Sequence, residues 1–73
     1  MEKITFESLY PAVAEWTKNW GWIEMGYDDM RQSFIRVLDI GGTIWEGKNH
    51  YKTADDALKA AEKAIEGWHE ENG

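Results

Sequence analysis

The run Ser33-Phe34-Ile35-Arg36-Val37-Leu38-Asp39-Ile40-Gly41-Gly42-Thr43-Ile44-Trp45-Glu46-Gly47 decides the fold of this chain. Residues 33–40 are rich in β-branched and apolar side chains, which suit a pleated, half-buried surface. Gly41-Gly42 then separates two apolar runs. A two-residue hairpin turn needs positive φ at both central positions, and glycine adopts it without steric cost. The sequence therefore predicts a strand over 33–40, a turn at Gly41-Gly42 and a return strand over 43–47.

Working outward, Ile23, Met25 and Tyr27 alternate with Trp22 and Glu24, which predicts a strand over 22–27. The polar stretch from Asp28 to Gln32 is the turn that joins it to the next. Further upstream, Phe6, Leu9, Val13, Trp16 and Trp20 recur at spacings of three and four, the stripe of an amphipathic helix over 6–19. Thr5 is the N-cap of that helix. Pro11 has no N–H and its ring clashes with the preceding turn in a helix interior. The helix can instead start near Tyr10, with Pro11 at its first position, and Gly21 stops it.

Downstream, residues 48–52 form a loop. Thr53 caps a second helix, with Asp55 and Asp56 in its first turn, where acids complement the helix dipole. Ala57, Leu58, Ala61, Ala64, Ile65 and Trp68 form its apolar face, and Asp55 and Lys59 are a favourable i,i+4 pair. The helix is expected to fray after Trp68 and to leave residues 70–73 as a solvated tail. The order is α-β-β-β-α, a single α+β domain over 1–73. A three-stranded antiparallel sheet forms one layer, and two helices pack on one face of it.

Composition narrows the functions. The chain has 73 residues, no cysteine and two histidines. Disulfides and thiolate metal sites are excluded, and His50 and His69 have no third ligand at motif spacing. Asp28 and Asp29 are adjacent turn carboxylates, read as solvated. Five tryptophans, three tyrosines and two phenylalanines supply an aromatic core. Net charge is −6, and the bases Lys3, Lys18, Arg31, Arg36, Lys48, Lys52, Lys59 and Lys63 read as scattered along the chain. Nucleic acid and anionic membrane are poor partners for such a chain, because clustered bases supply most phosphate affinity. No apolar run resembles a signal peptide or approaches the ~20 residues of a membrane span, so a cytoplasmic location is expected. Ser8 and Ser33 have no neighbouring base in the sequence, and Gly41-Gly42 lacks the pattern of a phosphate loop. No enzyme activity and no cofactor are expected.

A turn at Gly41-Gly42 sets Ile40 opposite Thr43, Leu38 opposite Trp45 and Val37 opposite Glu46. One face then carries Phe34, Arg36, Leu38, Ile40, Thr43 and Trp45. The other carries Ile35, Val37, Asp39, Ile44 and Glu46. Both faces are apolar at the centre, and helices on one side cover only one of them. The expected function is a small protein-interaction module, binding a protein partner or forming a homodimer through its open sheet face. Trp22, Phe34, Leu38 and Trp45 are the candidate interface residues.

The α-β-β-β-α order, carried by residues 33–68 with Gly41-Gly42, Trp45-Glu46-Gly47 and Ala57, Ala60, Ala61 and Ala64, resembles the double-stranded-RNA-binding-domain fold. That resemblance implies RNA binding through a lysine-rich start to the last helix. Here that start reads Thr53-Ala54-Asp55-Asp56-Ala57-Leu58-Lys59, with acids where the family has bases, so RNA binding is the lesser reading. The helix from Thr53 to Trp68, with its capped, acidic opening and its Ala64-Ile65-Glu66-Gly67-Trp68 end, is also similar to the corresponding helix of HicB-type antitoxins. That likeness implies a protein partner.

Overall fold

In a computed structural model, which describes residues 5–27 and 33–72, two short helices lead into three strands and a long helix. The elements are α1 (Phe6–Leu9), α2 (Pro11–Asn19), β1 (Gly21–Met25), β2 (Ile35–Asp39), β3 (Gly42–Glu46) and α3 (Ala54–Asn72). The strands form an antiparallel sheet in the order β1-β2-β3. The α-β-β-β-α, α+β reading of the sequence is therefore correct. The expected turn at 28–32 lies outside the described residues.

Both possible starts of the first helix are realised, one after the other. Thr5 and Ser8 form a capping box around α1: each side chain bonds the other's backbone N–H at 3.1 Å. Tyr10 then leaves helical geometry (φ −133, ψ 66), and Pro11 opens α2 at its first position. A residue before proline is driven out of the α region, which explains the break. The bend disrupts the expected stripe. Val13 and Trp16 are buried, but Phe6, Leu9 and Trp20 are about half exposed, and Tyr10 enters the core instead.

The break leaves α2 without a local cap, since the Tyr10 side chain makes no capping bond. A carboxylate from α3 takes that role. Glu62 accepts the N–H of Ala12 at 2.8 Å and of Val13 at 2.9 Å. Two donors left orphaned by helix geometry are thereby satisfied by a charged group at the positive end of the α2 dipole.

The core lies between the helices and one sheet face. It comprises Tyr10, Val13, Trp16, Ile35, Val37, Ala57, Ala61 and Ile65, with Ile23, Phe34, Ile44, Trp45, Tyr51, Leu58 and Trp68 packed around it. Alanines at 57 and 61 let α3 approach the sheet closely, and the large rings fill the remainder. Trp16 is fully buried, and its indole N–H donates to the Leu38 carbonyl at 2.9 Å, so its one polar atom is matched. α3 continues to Asn72, past the expected fraying point. His69 packs against the rings of Trp16 and Trp20, and the Asn72 amide donates to the Trp68 carbonyl at 2.9 Å.

The hairpin differs from expectation by one residue. Asp39 pairs with Gly42, so the turn is Ile40-Gly41, and Gly42 (φ +126) belongs to β3. The Asp39 carboxylate accepts the Gly41 N–H at 2.8 Å, an Asx-type bond that fixes the turn locally. Leu38 then faces Thr43, while Val37 faces Trp45. Ile44 is the extra residue of a β-bulge at this register shift. The bulge changes the faces. Trp45 now shares the helix side with Val37, and Glu46 pairs with Arg36 on the open side.

Gly47 follows β3 where space runs out. A Cβ there would stand 2.7 Å from Ile35 Cγ2 and 2.9 Å from Trp45 Cη2. Only glycine lets the chain leave the sheet at this point toward the 48–53 segment that leads into α3.

Candidate functional site

Two surfaces are distinct enough to consider. The first is the open face of the sheet. Trp22 of β1 pairs with Leu38 of β2, and Leu38 with Thr43 of β3. One step along, Glu24, Arg36 and Glu46 form a row across all three strands. Arg36 holds the Glu46 carboxylate with its Nε at 3.0 Å and its second guanidinium nitrogen at 2.9 Å. The Trp22 indole N–H donates to Glu24 at 3.2 Å. Trp22 is 45% exposed, and Ile40, at the turn beyond Leu38, is fully exposed.

The four candidate interface residues do not come together. Trp22 and Leu38 are cross-strand neighbours on the open face. Phe34 lies between the rings of Tyr27 (4.9 Å) and Tyr51 (6.3 Å) and packs against the core. Trp45 also packs against the core, and it lines a shallow groove with Ile44, Ala64 and Trp68. For Trp45 the cause is the bulge, which transfers the later residues of β3 to the opposite face; Phe34 precedes β2 and lies outside its alternation.

The second surface escaped the sequence reading. A groove of about 530 Å³ runs between the 48–53 segment and α3, lined by Lys48, His50, Tyr51, Lys52, Asp56, Lys59, Ala60 and Lys63. The bases that read as scattered in sequence are here brought together, four of the eight on one groove. Lys59 and Lys63 share one face of α3 at i,i+4 spacing, but Lys48 and Lys52 precede the helix, so no helical pattern in the sequence gathers all four. Lys48 sits over the Tyr51 ring, 5.7 Å from its centre. The Tyr51 hydroxyl accepts the Lys48 backbone N–H at 2.9 Å, which ties this ring to the segment.

Two acids of α3 that do not line the groove are engaged elsewhere. Glu62 caps α2. Asp55 accepts a hydrogen bond from the Tyr10 hydroxyl and pairs with Lys59 at 3.1 Å. The bond from Tyr10, and then Lys59, hold the Asp55 carboxyl below its ordinary value. The same bond, with burial and the neighbouring negative charge, pushes the Tyr10 hydroxyl up.

Catalytic groupings do not form around the hydroxyls singled out in the sequence. Ser8 donates to the Thr5 carbonyl at 2.9 Å, and Ser33 donates to Glu46 at 3.4 Å. His50 lines the lysine groove, whereas His69 belongs to the aromatic cluster of Trp16, Trp20 and Trp68. Asp28 and Asp29 lie outside the described residues. Among the described residues, no group of three or more His, Asp or Glu could hold a metal ion, and no helix is long and apolar enough to cross a membrane. Comparison with protein-family models, with curated proteins and with solved structures found no match for this chain.

Proposed function

We propose that this chain is a small protein-binding module that docks a protein on the open face of its sheet, in its simplest form a second copy of itself. One observation carries the reading. The packed helices α2 and α3 lie on the same side, so the other side of a three-stranded sheet is left without a covering layer, and a half-exposed tryptophan stands on it beside Leu38. Tryptophan is enriched at binding hot spots, where a ring contributes a large contact area at little conformational cost. The ordered row of Glu24, Arg36 and Glu46 is a polar frame beside that anchor, suited to fixing the orientation of a partner. Ile40 at the turn extends the apolar contact to the end of the sheet.

The test is molar mass by light scattering over a wide concentration range, for the natural chain and for Trp22→Ser. Association through this face moves the mass from 8.5 kDa toward twice that value, and the substitution returns it to the monomer. A mass fixed at the monomer value at the highest reachable concentration overturns the homodimeric form. Photo-crosslinking from position 22 then decides whether another protein occupies the face.

A further inference from the structure

We propose that the groove between the 48–53 segment and α3 is a binding site for a compact polyanion, a small molecule bearing a di- or triphosphate group. Four lysines, Lys48, Lys52, Lys59 and Lys63, are among its lining residues, with Asp56 the one acid among them and the Asp55 carboxylate held by Lys59. Folding alone does not account for this grouping. The chain has fourteen acids, enough to pair every base. Yet among the described residues Lys48, Lys52 and Lys63 make no salt bridge, and Lys59 alone is paired, with Asp55. Gathering like charges costs stability through mutual repulsion, and a bound anion removes that cost.

Geometry limits the size of the ligand. The volume of about 530 Å³ falls within the range of small-molecule sites. Lysine ammonium groups act as mobile point charges and carry no planar fork, so they select charge density over one fixed orientation. Lys59 and Lys63 stand one turn apart, about 6 Å along the axis, close enough for one multiply charged group to meet both. Asp56 stands in the lining itself, and Asp55 precedes it. Beyond Lys63 the adjoining groove is lined by Glu71. A ligand longer than the groove would meet carboxylates as it left. A chain of net charge −6 repels the remainder of any long polyanion in the same way. These observations favour a small phosphorylated ligand over a nucleic acid.

The experiment is a titration with inorganic tripolyphosphate at near-physiological salt, read by calorimetry and by backbone amide chemical shifts. The natural chain, a Lys52→Gln/Lys63→Gln double variant and a Lys18→Gln control are compared. Circular dichroism checks that each is folded, and Lys48→Gln is a further variant should the double one not fold. The expected result is saturable one-to-one binding with shifts at residues 48–63. It weakens at least tenfold in the double variant and is unchanged in the control, whose Lys18 pairs with Glu7 outside the groove. Absence of saturable binding overturns the proposal, as does binding that the lysine substitutions leave intact. A 20-base-pair RNA duplex is titrated in parallel. Tighter binding of the duplex through the same lysines overturns the compact-ligand assignment in favour of a nucleic acid.

Discussion

Replacing Glu62 by alanine tests whether a side chain of the last helix holds the second one in place. In the structure the Glu62 carboxylate accepts two backbone donors, Ala12 N–H at 2.8 Å and Val13 N–H at 2.9 Å, at the open end of α2. Losing a capping side chain costs about 1 kcal/mol, in a range of roughly 0.5–2. The carboxylate also meets the positive end of the helix dipole, an interaction of about 0.3–1 kcal/mol, more where partly buried. Alanine returns a few tenths of a kcal/mol as a better helix former. The net expected loss is roughly 0.5–2.5 kcal/mol, or about a 2- to 70-fold rise in the unfolded-to-folded ratio. A chain of this length has a total stability of roughly 4–11 kcal/mol, so the loss is a large share of it.

Urea unfolding followed by tryptophan fluorescence measures the loss directly, and thermal unfolding should show a drop of about 2–20 °C. Glu66→Ala is the control. It lies one turn further along α3, is exposed, and caps nothing; its effect should stay within about 0.5 kcal/mol. Glu62→Gln retains one acceptor oxygen but no charge and should fall between the two. A Glu62→Ala variant as stable as the Glu66→Ala control would refute the cross-helix cap.

Two further outcomes concern stability. The Asp55 carboxyl is held low by the Tyr10 hydroxyl and Lys59, so its contribution is fully present above the ordinary carboxylate value and is lost as pH falls through the lower folded value. The difference in urea midpoint between the natural chain and Asp55→Asn should therefore be constant from about pH 5 to 8 and shrink below about pH 4; an equal difference at pH 2.5 and 7 would contradict the assignment. The raised Tyr10 value acts at the other limit, where its contribution is present below about pH 10 and lost above it. Gly67 lies inside α3 with open space where a Cβ would be, so Gly67→Ala should stabilise the fold by about 0.5–1 kcal/mol, seen as a higher thermal midpoint.

Which features could be read from sequence follows from how local their causes are. The start of α3 was legible because Thr53, Asp55 and the stripe of Ala57, Ala61 and Ile65 act within a few residues of one another. The Thr5 cap and the role of Pro11 are local in the same way. The hairpin was legible as a hairpin, but its register was not. Gly41 and Gly42 both fit the turn, and only the sheet decides that Ile40 takes a turn position and Gly42 a strand position. The bulge at Ile44 then moved Trp45 to the helix side, which strict alternation forbids. The cap from Glu62 lies about fifty residues from the donors it serves, so no pattern near Tyr10 could announce it. Of the candidate interface residues, Trp22 and Leu38 are cross-strand neighbours, a pairing that needs the register of β1 on β2, and the lysine groove needs the path of the 48–53 segment over α3 before it exists.

The division of the first helix at Tyr10 also sets where this fold opens. α1 buries none of its residues, and few amide bonds hold it: Ser8 and Leu9 to the Thr5 carbonyl, and Tyr10 to that of Phe6. Opening this turn exposes little apolar surface, so it should exchange its amide hydrogens far faster than the sheet and α3, in a local event separate from global unfolding. Tyr10 ends that event. Its buried ring and its bond to Asp55 anchor the chain to α3, so unzipping that begins at Phe6 halts before α2. The protected amides should start at Ala12 and Val13, where the exchange of two adjacent backbone hydrogens is governed by a side chain on another helix.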